Sequence, residues 1–230
     1  MLMKKKVVVF TGAGISAESG LQTFRGQDGL WEGYNLEEVA TPEAWNRDPA
    51  LVQRFYNLRR SACRKALPND AHKALVALED KYDVVVITKN IDDLHERAGS
   101  RKVLHLHGEI MKSQSSKNPK LVYPITGDSL EMGQLCELGT QLRPHVVWFG
   151  EAVPNIEPAI RLVSEAVIFI VVGTSLQVYP AANLVYETSE NCEIIVIDPN
   201  ADNFKVPSNT RVIKVNASIG VPDLVKKLTK

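Results

Sequence analysis

The chain has 230 residues, of which 44% are hydrophobic, and Lys+Arg 27 against Asp+Glu 27 leave no net charge. That length suits one large domain with a small appendage, and the balanced charge excludes bulk attraction to nucleic acid. No run approaches the roughly eighteen apolar residues of a membrane helix. The apolar start Val7-Val8-Val9-Phe10 stops at Thr11-Gly12, too short for a signal peptide. Cys63, Cys136 and Cys192 are odd in number and have no close pair, which predicts a reducing compartment, the cytoplasm, and no disulfide framework.

The first predicted element, Val7 to Phe10, has the β-branched and aromatic content of a fully buried parallel strand. Gly12-Ala13-Gly14-Ile15-Ser16-Ala17 follows as a G-x-G-x-x-A turn. Its first glycine is expected to permit a tight bend, and its second to let backbone N–H groups approach a pyrophosphate at a helix N-terminus. Gly20 and Gly26 bracket Thr23-Phe24-Arg25, so that segment can hinge. Asp28 to Leu67 is too long for a simple crossover and carries helix starts at Thr41-Pro42 and Asp48-Pro49, which predicts a helical insertion. On the helix opening at Asp48-Pro49, Tyr56 and Arg59 are three apart and share a face.

The strand Val84 to Thr88 leads into Lys89-Asn90-Ile91-Asp92-Asp93, where polar side chains can cap the next helix; Asp93 is the predicted cap. The strand Val103 to Leu106 puts His107 at a C-terminal strand end, the edge where ligands sit in open α/β sheets. His105 points the same way by the two-residue period, and it is read as packing or as a support behind the site residues, like His72, His95 and His145. Ile110 to Gln141 has polar residues, two prolines, three glycines and no sustained period, hence a second, irregular insertion. Strands at Val167 to Val172, Ile194 to Ile197 and Arg211 to Val215 complete the alternation. The fold class is α/β, a Rossmann-like doubly wound parallel sheet formed by 1–27, 68–109 and 142–230, with a small domain from 28–67 and 110–141. The junction between them predicts a cleft.

These blocks, with His107-Gly108-Glu109, Gly173-Thr174-Ser175 and Pro144 to Glu151, closely resemble the sirtuin family of NAD-dependent protein deacylases, in order from about Val7 to the C-terminus. The resemblance implies that NAD is held by Gly12, Ala13, Gly14, Ser16, Ala17, Thr23, Lys89, Asn90, Ile91, Asp92, Gly173, Thr174, Ser175, Asp198 and Ala217. Phe24 would cover the nicotinamide pocket and Arg25 meet the phosphates or ribose. His107 is implied as the general base that accepts a proton from a ribose hydroxyl, a task suited to a near-neutral pKa. An acyl-lysine carbonyl oxygen would displace nicotinamide, and water would release lysine and O-acyl-ADP-ribose.

The acylated protein or peptide is expected to dock as a strand beside Val146 to Glu151, touching Val147, Phe149, Gly150 and Glu151. Tyr56 and Arg59, as a Y-x-x-R pair, and the small Ala40 resemble the desuccinylase and demalonylase branch. Protein ADP-ribosyl transfer and non-catalytic NAD binding are the rival readings. The acyl-pocket residues argue against the first and His107 against the second. A monomer is expected, with neither nucleic acid nor membrane as partner.

Two departures from the pattern carry consequences. Lys89 stands where relatives usually have glutamine, putting an ammonium near a cofactor that is itself cationic at the nicotinamide. Ser113-Gln114-Ser115-Ser116 replaces the first cysteine pair of the usual structural zinc, and only Cys136 remains of the second, so the resemblance implies that 110–141 is a zinc-ribbon-like insertion without metal, and no zinc is expected. Apolar contacts from Leu121, Tyr123, Ile125, Leu135 and Leu138 are expected to hold that insertion instead.

Overall fold

The computed structural model describes residues 4–23, 30–31 and 33–230; Phe24 and Arg25 lie outside them. In chain order the elements are β1 (Lys6–Thr11), α1 (Ala13–Ala17), β2 (Leu30–Trp31), β3 (Tyr34–Asn35), α2 (Leu36–Val39), α3 (Pro42–Arg47), α4 (Pro49–Lys65), α5 (Asp70–Leu78), β4 (Asp83–Thr88), α6 (Leu94–Ala98), β5 (Val103–His105), β6 (Gly108–Ser115), β7 (Val122–Pro124), β8 (Leu142–Val146), α7 (Ile156–Ser164), β9 (Ile168–Val172), β10 (Glu193–Ile197), β11 (Arg211–Ile213) and α8 (Ala217–Leu228). None of the described helices is long and apolar enough to cross a membrane.

Six strands form one parallel sheet in the order β11-β10-β9-β1-β4-β5. Its strands read as unbroken apolar runs because helices cover both faces. Val8, Phe10, Ile87, Phe169 and Val171 point to one side, where Ala159 and Val163 of α7 pack. Val7, Val9, Val86, Ile170 and Ile195 point to the other, against Leu75 and Leu78 of α5 and Leu224 and Val225 of α8. Each such side chain contributes about 1.5–3 kcal/mol through burial. The order reverses between β1 and β9, and such a switch point opens a crevice at the carboxyl ends of the strands.

The helical insertion starts where capping chemistry places it. Thr41 Oγ1 accepts from the Ala44 N–H at 3.0 Å and Asp48 Oδ1 from the Leu51 N–H at 2.8 Å, each followed by proline at the first helical position.

The second insertion supplies most of β6 and all of β7 to a three-stranded antiparallel ribbon, ordered β7-β6-β8. Ser113, Gln114 and Ser115 are buried in its central strand, so no apolar period marks it. Leu135 and Leu138, expected to hold it, are 55% and 58% exposed. The grip comes from α4 instead, whose polar side chains bind ribbon backbone. Arg60 Nε donates to the Ile110 carbonyl at 2.8 Å, Gln53 Nε2 to that of Leu142 at 2.8 Å, and Asn57 both donates to and accepts from Leu130. Arg64 donates to the carbonyls of Ile125 and Gly127.

Candidate functional site

A cleft of about 900 Å³ opens over the carboxyl ends of β1, β4, β9 and β10, between the sheet and the insertions. Its floor is backbone. Gly14 N–H donates to the Gly173 carbonyl at 2.8 Å and Gly12 N–H to that of Val172 at 3.1 Å, which locks the turn after β1 to the turn after β9. A Cβ on Gly14 would lie 2.7 Å from Gly173 Cα, and one on Gly173, at φ +59°, would lie 2.3 Å from Ile15 N. The expectations for this turn change accordingly. Gly12 makes no tight bend, since its φ of −131° and ψ of −171° are extended. It is small because a Cβ would meet Thr174 Cβ at 2.7 Å, and it sits under the cleft without lining it.

Ala13, Gly14, Ser16, Ala17, Thr23, Lys89, Asn90, Ile91, Asp92, His107, Gly173, Thr174, Ser175, Asp198 and Ala217 line the cleft, as do Ala40, Tyr56, Arg59, Val147, Phe149, Gly150 and Glu151. Every expected site residue within the described part except Gly12 is therefore brought to one place. Trp148, Gln177, Tyr179 and Phe204 also line it and were not anticipated. Trp148 was readable as part of an apolar run, but a run alone does not say which of its members faces a cavity.

At one end of the cleft the turn after β4 is held by hydrogen bonds. Asn90 N–H donates to Thr88 Oγ1 at 3.0 Å, and Asn90 Nδ2 to Ser16 Oγ at 3.1 Å, while Ser16 Oγ donates to Asp92 Oδ2 at 3.1 Å. Asp92, and not the expected Asp93, receives the helix N-terminus, accepting from the Leu94 N–H at 3.1 Å; Asp93 makes no side-chain cap. Burial raises the Asp92 carboxyl pKa, and the bonds from Leu94 and Ser16 oppose that.

His107 lies just beyond β5, its ring hydrogen-bonded to the Lys89 backbone. Burial, with the Lys89 ammonium adding to it, pushes the imidazole pKa down to about 4, below the near-neutral value expected from the sequence. The ring is therefore neutral at pH 7 and able to accept a proton. At the far end of the sheet edge, Asp198 follows β10; burial raises its carboxyl pKa, and the Asn200 N–H donates to it at 2.8 Å.

The opposite wall comes from α4 and the segment after β8. Tyr56 is fully buried and Arg59 6% exposed, and Phe55 is buried beside them. Burial raises the Tyr56 hydroxyl pKa, opposed by Trp148 and the nearby Arg143 and Arg59. Arg143 clamps this wall: it donates to both Glu151 oxygens at 2.8 and 2.9 Å, and its guanidinium stacks 3.7 Å from the centre of the Trp148 ring. The Glu151 carboxylate, expected to meet substrate, also accepts from the Trp148 N–H at 2.8 Å. Besides Trp148, three N–H groups of the expected docking edge are committed within the protein, Val147 to the His107 carbonyl and Phe149 to that of Ala40, each at 3.0 Å, and Glu151 to that of Trp148 at 3.1 Å. Strand-like docking there has to rely on the remaining backbone groups.

Among the described residues, no group of three or more His, Cys, Asp or Glu side chains is placed to hold a metal ion. Ser115 Oγ and Cys136 Sγ instead meet at the Thr140 hydroxyl, at 2.8 and 3.1 Å.

The model of the Sir2 family matches residues 12–180. A Helicobacter pylori protein named NAD-dependent protein deacylase is 51% identical over 224 residues, 97% of either chain. One of the same name from Aggregatibacter actinomycetemcomitans is 55% identical over 198 residues, 86% of this chain and 95% of its own. Among solved structures, a mutant Sir2 homologue in complex with ADP-ribose superposes with a TM-score of 0.86 at 38% identity, covering 98% of this chain and 92% of its own. A Sir2–p53 peptide–NAD+ structure gives 0.76 at 27% identity, with 98% and 94% covered.

Proposed function

The chain belongs to the Sir2 family and is an NAD-dependent protein deacylase, and from that premise we propose that it removes succinyl and malonyl groups from lysine in preference to acetyl. One observation carries the preference. Tyr56 and Arg59, one helical turn apart on α4, bring a phenol and a guanidinium into the cleft wall, and the small Ala40 lines the same cleft. The Arg59 guanidinium can give a carboxylate on the acyl chain a charge-assisted, potentially bidentate bond that acetyl cannot make.

The residues present fit NAD. The interlocked turns around Gly14 and Gly173, with the hydroxyls of Thr174 and Ser175, suit a pyrophosphate, and Asp198 can accept from adenosine ribose hydroxyls. Asn90 and Asp92 suit the nicotinamide ribose and carboxamide. When bound, NAD supplies the electrophilic ribose carbon that takes the acyl oxygen. The protein's own part is to orient and to move a proton: His107, neutral at working pH, takes it from a ribose hydroxyl, and the Asn90–Asp92 turn fixes the geometry around it.

The test is kcat/KM on one peptide carrying acetyl-, malonyl- or succinyl-lysine. Hydrogen bonds to a charged group contribute roughly 1.5–3 kcal/mol, so the acidic acyl groups should win by on the order of ten- to a hundredfold. Equal rates, or an acetyl preference, would overturn the proposal.

A further inference from the structure

We propose that His105 is a buried imidazolium at neutral pH, a positioning residue that holds the Asn90–Asp92 turn by donating from both ring nitrogens. Nδ1 lies 2.9 Å from the Asn90 carbonyl oxygen and Nε2 lies 2.8 Å from Glu96 Oε1. A carbonyl and a carboxylate only accept, and a neutral imidazole has only one N–H. A neutral ring would therefore face one acceptor with a lone pair, unless Glu96 took up a proton. Glu96 is 40% exposed and stays ionised more cheaply than that. The doubly protonated ring satisfies both partners.

The surroundings agree from every side. Glu96 on α6 and Glu109 on β6 favour the cation. The histidines near it, His95 on α6 and His145 on β8, both have lowered pKa values, so neither brings a competing charge at neutral pH. Lys112 on β6 is paired with Glu109 at 2.8 Å. Burial alone would lower the His105 pKa, but the Glu96 bond and charge, with the Asn90 carbonyl, raise it. His105 and His107, two residues apart, thus hold opposite charge states. The His105 cation also acts on Asp92, favouring its carboxylate against the burial that disfavours it.

The functional consequence rests on the reading of Asn90 and Asp92 as the nicotinamide end of the site; the charge state does not. In the ¹⁵N-labelled full-length protein, long-range ¹H–¹⁵N spectra at pH 7.5, with His105 assigned by its loss in His105→Gln, should show both ring nitrogens protonated. A single unprotonated ring nitrogen overturns the inference. Glu96→Gln removes the countercharge from a half-exposed position. The alkaline limb of the rate of nicotinamide release should then move down by on the order of one pH unit, as expected for losing one close charge, with the KM for acyl-peptide unchanged. A limb that coincides with that of the wild type also overturns it. A doubly protonated His105 in a protein that releases no nicotinamide would count against the reading of the site and leave the charge state standing.

Discussion

Lys89 and His107 are joined twice: the Lys89 backbone takes part in a hydrogen bond with the His107 ring, while the ammonium of the same residue helps burial push that ring's pKa down to about 4. The ring is therefore free of its proton across the neutral range, and on the proposal that His107 is the base, activity governed by it rises only as pH climbs through that low value. Lys89→Gln removes the ammonium. The acid limb of kcat/KM should move to higher pH, and the rate of nicotinamide release should change more than peptide affinity. Coincident pH profiles and unchanged release would place the Lys89 charge outside the chemistry. In the same assays His107→Ala should lose deacylation while still binding NAD by calorimetry.

Arg59→Met tests the acyl pocket. The charge goes and the bulk of the stem stays, so succinyl turnover should fall by roughly ten- to a hundredfold while acetyl turnover survives better, as expected for losing a bond to a charged group. An equal loss on both substrates would make Arg59 a packing residue.

The ribbon should stand without metal. Elemental assay of the purified protein is expected to find no stoichiometric zinc, and chelator to leave Tm unchanged. Asn57→Ala should instead cost about 1–3 kcal/mol in denaturant unfolding, because the Leu130 N–H and carbonyl and the Arg60 guanidinium all lose a partner. One zinc per chain, or an Asn57→Ala variant as stable as wild type, would contradict this.

His72 and His95 stack edge to face with ring centres 4.9 Å apart, and burial lowers both, His72 from 6.5 to about 4 and His95 well below its usual value. In the unfolded chain these rings take up protons near pH 6.5, but in the folded protein they resist until much lower pH. The unfolded state therefore binds more protons in that window, and stability falls as pH drops from about 6.5 toward 4. For His72 alone the loss approaches about 3 kcal/mol. His72→Gln should flatten the fall of unfolding free energy with acid by about one proton. An unaltered slope would mean that the ring titrates normally.

The sheet was readable because its strands are buried on both faces, so that Val7 to Phe10 or Ile194 to Ile197 look alike wherever they occur. The ribbon left no apolar period, because the Ser113, Gln114 and Ser115 side chains buried in it are polar, and only the resemblance pointed to it. The glycines were found for a partly different reason than the structure gives, since the contact between Gly14 and Gly173 joins residues far apart in sequence. The Arg143–Glu151 clamp and the double acceptor set around His105 depend on distances that no spacing encodes. Asp92 and Asp93 are adjacent and chemically identical, and only the path of the backbone decides which one meets the Leu94 N–H.

Helix α4 presents Tyr56 and Arg59 to the cleft and, on neighbouring positions, Gln53, Asn57, Arg60 and Arg64 to the ribbon backbone. One rigid rod thus serves as cleft wall and as strut. On the proposed reading of Tyr56 and Arg59, substrate choice and the seating of the ribbon are mechanically linked. A laboratory selection for altered acyl preference should accordingly return substitutions in the 125–130 segment, remote from any acyl group, alongside those that touch it.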